Sequence, residues 1–251
     1  MTEPIGHPGL AEFGETIFAE MSALAVRTNA LNLGQGFPDT DGPDEVLQAA
    51  VTALTSGMNQ YPPLPGELDL RQAVAEHQQR FWDLTFDPAT EVLVTAGATE
   101  ALAASLLAFV RPGDEVVMFE PYYDSYAAGV ALTGGTRKVV TLRPPTDGQV
   151  GFQFDIDELR AAITPKTKVL LLNTPHNPTG KVFTRTELMQ IAELALDHDL
   201  LVISDEVYEH LTFDDATHIP IATLPGMADR TITISSGGKT FSFTGWKVGW
   251  A

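Results

Sequence analysis

One lysine, Lys239, stands in the glycine-rich stretch SSGGKT at 235–240, just beyond the apolar β-branched run at 231–234. A primary amine held there can bond covalently to a carbonyl carbon and, once released, serve as a base. Two more polar groups also follow strand-like runs: Asn177 in HNPTG (176–180) and Asp205 in SDEVYE (204–209). Asp205 closes an apolar run, where an unpaired carboxylate is costly and needs a cation or hydrogen-bond donor. A protonated ring nitrogen is one such partner, and a helix N-cap is the ordinary alternative. Asn177 and Tyr208 can both donate to an oxygen on such a ring, while Tyr123 can stack on its face.

An anion has a place beside them. Gly97, Ala98 and Thr99 open a helical pattern directly after a strand-like run, so the free N–H groups and positive dipole end would hold a phosphate. Ser236 adds a hydroxyl, and Lys247, eight positions beyond Lys239, adds a second positive charge. Taken singly, each residue has a plain reading: a surface lysine, a turn at Asn177, packed tyrosines, small residues at a strand-to-helix turn. Only their convergence makes a chemical inventory.

Convergence depends on the elements between them. Strand-like runs at 91–95, 115–119, 137–142, 168–173, 200–204 and 231–235 alternate with helical patterns at 98–110, 122–132, 155–163 and 184–198. The pattern predicts an α/β fold with a mostly parallel central sheet and helices on both faces, and ligands bind such sheets beyond the carboxyl ends of the strands. Ahead of the alternation lie helical patterns at 10–30, 43–56 and 66–82, broken by the proline-rich NQYPPLPG at 59–66. Residues 246–251 read as one more strand. That ending, without a polar tail, suggests a fragment.

Composition narrows the partners. With 33 acidic against 15 basic side chains the net charge is −18, which repels nucleic acid and anionic membrane surfaces. No cysteine is present, so disulfides and thiolate metal sites are excluded. The six histidines show no HExxH-like spacing, so no metal is expected. The opening MTEPIGHPGL lacks a secretory pattern, and the apolar stretch at 101–110 is shorter than the ~20 residues of a spanning helix. A soluble, cytoplasmic protein is expected.

HNPTG, SDEVYE and SSGGKTFSFTGWKVGW (235–250) resemble the class I/II aminotransferases, enzymes of pyridoxal phosphate fold type I. NLGQGFPD (32–39), NQYPPLPG, TAGATEAL (95–102) and EPYYDSY (120–126) are similar to the branch holding kynurenine, glutamine, methionine and N-succinyldiaminopimelate aminotransferases. The resemblance implies that Lys239 is the Schiff-base lysine and Asp205 the partner of the pyridine nitrogen. Asn177 and Tyr208 would bind the ring oxygen and Tyr123 would stack on the ring. Gly97, Ala98, Thr99, Ser236 and Lys247 would hold the phosphate. Tyr61 would reach the phosphate of the neighbouring subunit, implying a homodimer with shared sites. Gly36 and Asn177 would contact the substrate.

Residues 1–42 would form an N-terminal arm and part of a small domain, and 43–251 a cofactor-binding large domain incomplete at its carboxyl end. Many members carry arginine where Lys247 stands, so bidentate phosphate binding is lost while the charge remains. The arginine that pairs with the substrate carboxylate is expected beyond residue 251.

The implied reaction is transamination between an amino acid and a 2-oxo acid, with N-succinyl-LL-2,6-diaminopimelate and 2-oxoglutarate as the leading pair. Kynurenine-type transamination or β-elimination from cysteine conjugates uses the same site, and a truncated relative with little or no activity is a further reading. A P-loop hydrolase is suggested by Gly238-Lys239-Thr240, but its first glycine would fall at Thr233.

Overall fold

The computed structural model describes residues 6–34, 36, 38, 40–146, 148 and 150–251. Three helices come first: α1 (Ile17–Thr28), α2 (Asp44–Thr55) and α3 (Leu68–Trp82). Strands and helices then alternate as β1 (Val94–Ala96), α4 (Ala98–Phe109), β2 (Glu115–Glu120), α5 (Asp124–Thr133), β3 (Thr136–Thr141), α6 (Ile156–Ala162), β4 (Thr167–Asn173), α7 (Arg185–Asp197) and β5 (Leu201–Asp205). The described chain closes with β6 (Thr231–Ser236), the four-residue α8 (Gly237–Thr240) and β7 (Val248–Trp250).

These strands make one seven-stranded sheet in the order β1-β7-β6-β5-β4-β2-β3. The β6-β5-β4-β2-β3 block is parallel, and β7 is antiparallel to both of its neighbours. Because β7 reverses twice, β1 runs in the same direction as the parallel block. Its carboxyl end therefore lies on the same edge as those of β4, β5 and β6.

Alternate side chains enter two separate cores, as a pleat with both faces covered requires. Leu170 and Leu172 of β4 pack with Leu159 of α6 and Leu188 and Ile191 of α7. Val169 and Leu171, one residue out of phase, pack on the other face with Leu102 and Leu106 of α4 and Tyr126 and Val130 of α5. This double burial explains the unbroken apolar runs in the sequence.

Three predicted elements shift for local reasons. The helix expected over 10–30 begins at Ile17, where the Thr16 side chain accepts a hydrogen bond from the Ala19 N–H, and Pro8–Leu10 form a separate 3-10 turn. The first strand, expected over 91–95, is Val94–Ala96, with Leu93 and Ala251 joined by reciprocal backbone hydrogen bonds of 2.9 Å. The last, expected over 246–251, is only Val248–Trp250, because Lys247 adopts the left-handed conformation at φ 56°. Thr233 lies inside β6 in register with Ser204, so no phosphate loop begins there. No helix among the described residues is long and apolar enough to cross a membrane.

Candidate active site

A cleft of about 1330 Å³ opens over the carboxyl edge of the sheet. Its lining includes Gly36, Gly97, Ala98, Thr99, Tyr123, Asn177, Asp205, Tyr208, Ser236, Lys239 and Lys247. Of the residues singled out in the sequence, only Tyr61 lies outside it, with a fully exposed side chain.

Asp205 is the last residue of β5 and is 4% exposed. Its carboxylate accepts hydrogen bonds from the Tyr126 hydroxyl (2.6 Å) and the Val207 N–H (3.3 Å). Burial pushes this carboxyl up to about 6, and the two hydrogen bonds oppose the rise. Such a group gains from a cationic partner. The same burial, with Asp205 and Tyr123 nearby, pushes the Tyr208 phenol up to about 12, keeping it a hydrogen-bond donor at neutral pH.

Sequence reasoning missed two residues that hold this arrangement. Asn173, at the end of β4, donates from Nδ2 to the Asp205 carbonyl (2.9 Å) and accepts at Oδ1 from the Asn177 N–H (2.7 Å). One buried amide thus ties the HNPTG turn to β5. Tyr126 falls three positions after Tyr123 in EPYYDSY, a spacing that puts both at the start of α5, but only contact with a strand 79 residues away reveals its role. Beyond Asp205, Glu206 accepts from Ser204 Oγ (2.7 Å) and is paired with His218 Nε2 (2.8 Å), and Glu209 accepts from Ser235 Oγ (2.6 Å). These buried bonds fix the turn that carries Tyr208.

Lys239 sits in α8, directly after β6. Its Nζ donates to the Gly36 carbonyl (3.1 Å) and lies 5.5 Å from the centre of the Tyr208 ring. Burial, then the charge of Lys247, holds the ammonium below its usual range, which favours the free amine that nucleophilic and base chemistry need.

The first turn of α4 borders the same cleft. Gly97 precedes it at φ 79° with no side-chain cap, leaving N–H groups that the helix itself cannot satisfy. Ser236 lies at the amino end of α8, and Lys247 reaches the same place from the start of β7. Gly249 lets β7 come this close: a Cβ there would lie 2.3 Å from the Gly97 carbonyl carbon and 2.5 Å from the Ala98 nitrogen. Both obstacles are backbone and cannot rotate away. Gly249→Ala is therefore expected to destabilise the fold by at least about 1–3 kcal/mol and to weaken anion binding. Urea denaturation and phosphate titration of the variant check this, and wild-type values for both would refute the close-approach account.

Similarity to known proteins follows the same lines. Residues 28–251 match the family described as aminotransferase class I and II. The chain is 57% identical over 242 residues to the probable N-succinyldiaminopimelate aminotransferase DapC of Mycobacterium tuberculosis, covering 96% of this chain and 60% of that one. It is 43% identical over 253 residues to kynurenine–oxoglutarate transaminase of Dictyostelium discoideum, covering 96% and 58%. The structure of N-succinyldiaminopimelate aminotransferase from M. tuberculosis superposes with a TM-score of 0.94 at 56% identity, over 97% of this chain and 62% of that one. The chain thus spans about 60% of the length of these relatives. With a match over most of its length and the family's motifs gathered in one cleft, the chain belongs to the class I and II aminotransferases.

Proposed function

We propose that this chain carries the cofactor site of a pyridoxal-phosphate-dependent aminotransferase, which moves an amino group between an amino acid and a 2-oxo acid. The observation that carries the reading is the placement of a buried, cation-seeking Asp205 and an amine, Lys239, in one cleft that the uncapped start of α4 also borders. The chemistry of the donor set fits the cofactor: a carboxylate for the ring nitrogen, phenol and amide donors for the ring oxygen, and a helix N-terminus with Ser236 and Lys247 for the phosphate. When bound, pyridoxal phosphate supplies an electron sink for the carbanion left by loss of the α-proton.

The protein's own part is positioning and proton transfer. Lys239 would hold the cofactor covalently, leave when substrate arrives, and then take the α-proton at Nζ and return it. Asp205 would keep the ring nitrogen protonated, with Tyr126 and Asn173 holding Asp205 in place. Asn177 and Tyr208 would orient the ring from one edge, and Tyr123 would cover its face. Gly36 borders the side of the cleft where substrate would enter.

A homodimer with shared sites is part of this reading. No residue of α1 or α2 is buried, and Ile17, Leu54 and Met58 are at least 60% exposed. Such apolar surface favours a partner. The exposed Tyr61 belongs to the same stretch and would reach the neighbouring subunit's phosphate. We assign residues 1–42 to an arm and 43–251 to the cofactor-binding domain, and place the enzyme in the cytoplasm.

N-succinyl-LL-2,6-diaminopimelate with 2-oxoglutarate is the leading substrate pair, supported by the 57% identity to the mycobacterial relative. A panel of amino donors tests it. The purified, cofactor-loaded protein is expected to form glutamate fastest with the succinylated diamine. Faster turnover of kynurenine would move the assignment to that specificity, and pyruvate release from a cysteine conjugate without an acceptor would point to β-elimination. Failure to take up pyridoxal phosphate at all would overturn the whole reading.

A further inference from the structure

Outside the cleft, α3 meets the turn after β5 through two histidines separated by 133 residues of sequence. His77 Nε2 and His210 Nε2 face each other at 2.6 Å. A carboxylate oxygen of Glu209 completes a triangle whose three ligand atoms lie within 4.8 Å of one another. None of the three residues lines the cleft. We propose that His77, His210 and Glu209 form a binding site for one divalent transition-metal ion of the zinc class, which clasps α3 to the turn carrying Tyr208.

The rings are oriented before any ion arrives. His210 stacks on Trp82 with centroids 5.7 Å apart and an interplanar angle of 26°, and it meets Phe81 edge-on at 4.8 Å. Phe81 also packs against His77 at 4.8 Å. Two neutral imidazoles facing through Nε2 can share only one proton, whereas a cation between them accepts both lone pairs.

The surroundings supply what a bound ion needs. Gln78, 3% exposed, places its amide 3.3 Å from His77 Nδ1, and its Oε1 is buried without a hydrogen-bond partner. Turning that amide over lets Oε1 accept from an Nδ1–H, the tautomer that frees Nε2 for a metal. Glu209 is 2% exposed, and its oxygens accept from Trp82 Nε1 (2.7 Å) and Ser235 Oγ (2.6 Å). Among the described residues it forms no salt bridge with lysine or arginine, so its negative charge remains to offset a cation.

A tetrahedral ion bound at about 2.0–2.1 Å separates its nitrogen ligands by about 3.3 Å. The rings would open by about 0.7 Å from their present 2.6 Å contact, a small side-chain rotation. Imidazole donors select zinc, nickel, copper or cobalt over magnesium and calcium, which prefer oxygen. Histidines 133 residues apart form no local motif such as HExxH, so sequence spacing alone does not reveal this pair.

Calorimetric titration of the chelator-stripped, purified protein with zinc chloride tests the site. One equivalent is expected to bind in cofactor-free and cofactor-loaded protein alike, to raise Tm, and to survive excess magnesium. His77→Ala and His210→Gln are each expected to weaken binding at least tenfold, while His198→Ala leaves it unchanged. Should the variants fold poorly, cobalt chloride added to the wild type decides: intense visible absorption with imidazole ligation supports the site, and the spectrum of hydrated cobalt overturns it. Absence of saturable zinc uptake, or uptake unaltered in folded His77→Ala, also overturns it.

Discussion

Lys239→Ala is expected to abolish the proposed transamination, lowering kcat by more than about 10⁴-fold, because one change removes both the proposed covalent anchor and the proposed base. The physical basis is the isolation of this amine. Nζ meets the Gly36 carbonyl and the face of Tyr208 within a half-buried pocket, and among the described residues lining the cleft the only other cationic side chain is Lys247. Raising its charge state costs more here than in water, so a larger fraction is free amine at neutral pH. A methyl group reaches neither the cofactor carbon nor the α-proton. The side chain supports no buried network, so the variant should fold normally.

Two measurements separate function from damage. Borohydride treatment followed by peptide mass analysis should mark Lys239 in the wild type and leave the variant unmodified. Steady-state turnover should vanish in Lys239→Ala and stay absent in Lys239→Arg, which keeps the charge but cannot form the bond. Turnover retained in either variant, or a reduced adduct at another lysine, would remove Lys239 from its proposed role.

Asp205→Asn is the second large effect, with kcat expected to fall on the order of 10²–10³-fold while cofactor binding persists. The amide can still hydrogen-bond to Tyr126 but cannot hold a proton on the ring nitrogen. A slower single-turnover rate of α-proton loss checks this, and an unchanged rate would refute the assignment.

The same residue gives a stability test with a definite sign. In the cofactor-free fold the carboxyl titrates at about 6 instead of 3.8, so between these values the native state holds a proton that the unfolded chain has released. Stability from this group is therefore lost as pH rises through that window, by about 3 kcal/mol in all. Asp205→Asn should remove this dependence in urea unfolding of the cofactor-free protein. A cationic cofactor should remove it too, by stabilising the carboxylate.

The order of strands and helices was legible because burial on both sheet faces leaves continuous apolar runs, such as VLLLN at 169–173 and LLVIS at 200–204. Asp205, Asn177 and Lys239 were legible because polar groups at the ends of such runs need a reason to be there. Element boundaries were less so. With Thr16 as its cap, α1 starts at Ile17, seven residues later than the apolar pattern suggested, since a cap fixes a helix start more firmly than periodicity does.

Other features depend on neighbours that sequence does not specify. The pleat of β7 fits either direction, and its antiparallel placement between β1 and β6 depends on the close approach of Gly249 to Gly97. Tyr126 reads as a packed aromatic until α5 is laid over β5, and Asn173 as a strand end until its amide meets both Asp205 and Asn177.

The sequence by itself determined the chemical groups, their places at strand ends and the family to which they belong, because those follow from local periodicity and short motifs. Only the tertiary structure decided which groups touch, how far burial shifts Asp205 and Lys239, and that His77 meets His210. Contact, desolvation and hydrogen bonding act between residues far apart in the chain, and the packed sheet sets those distances.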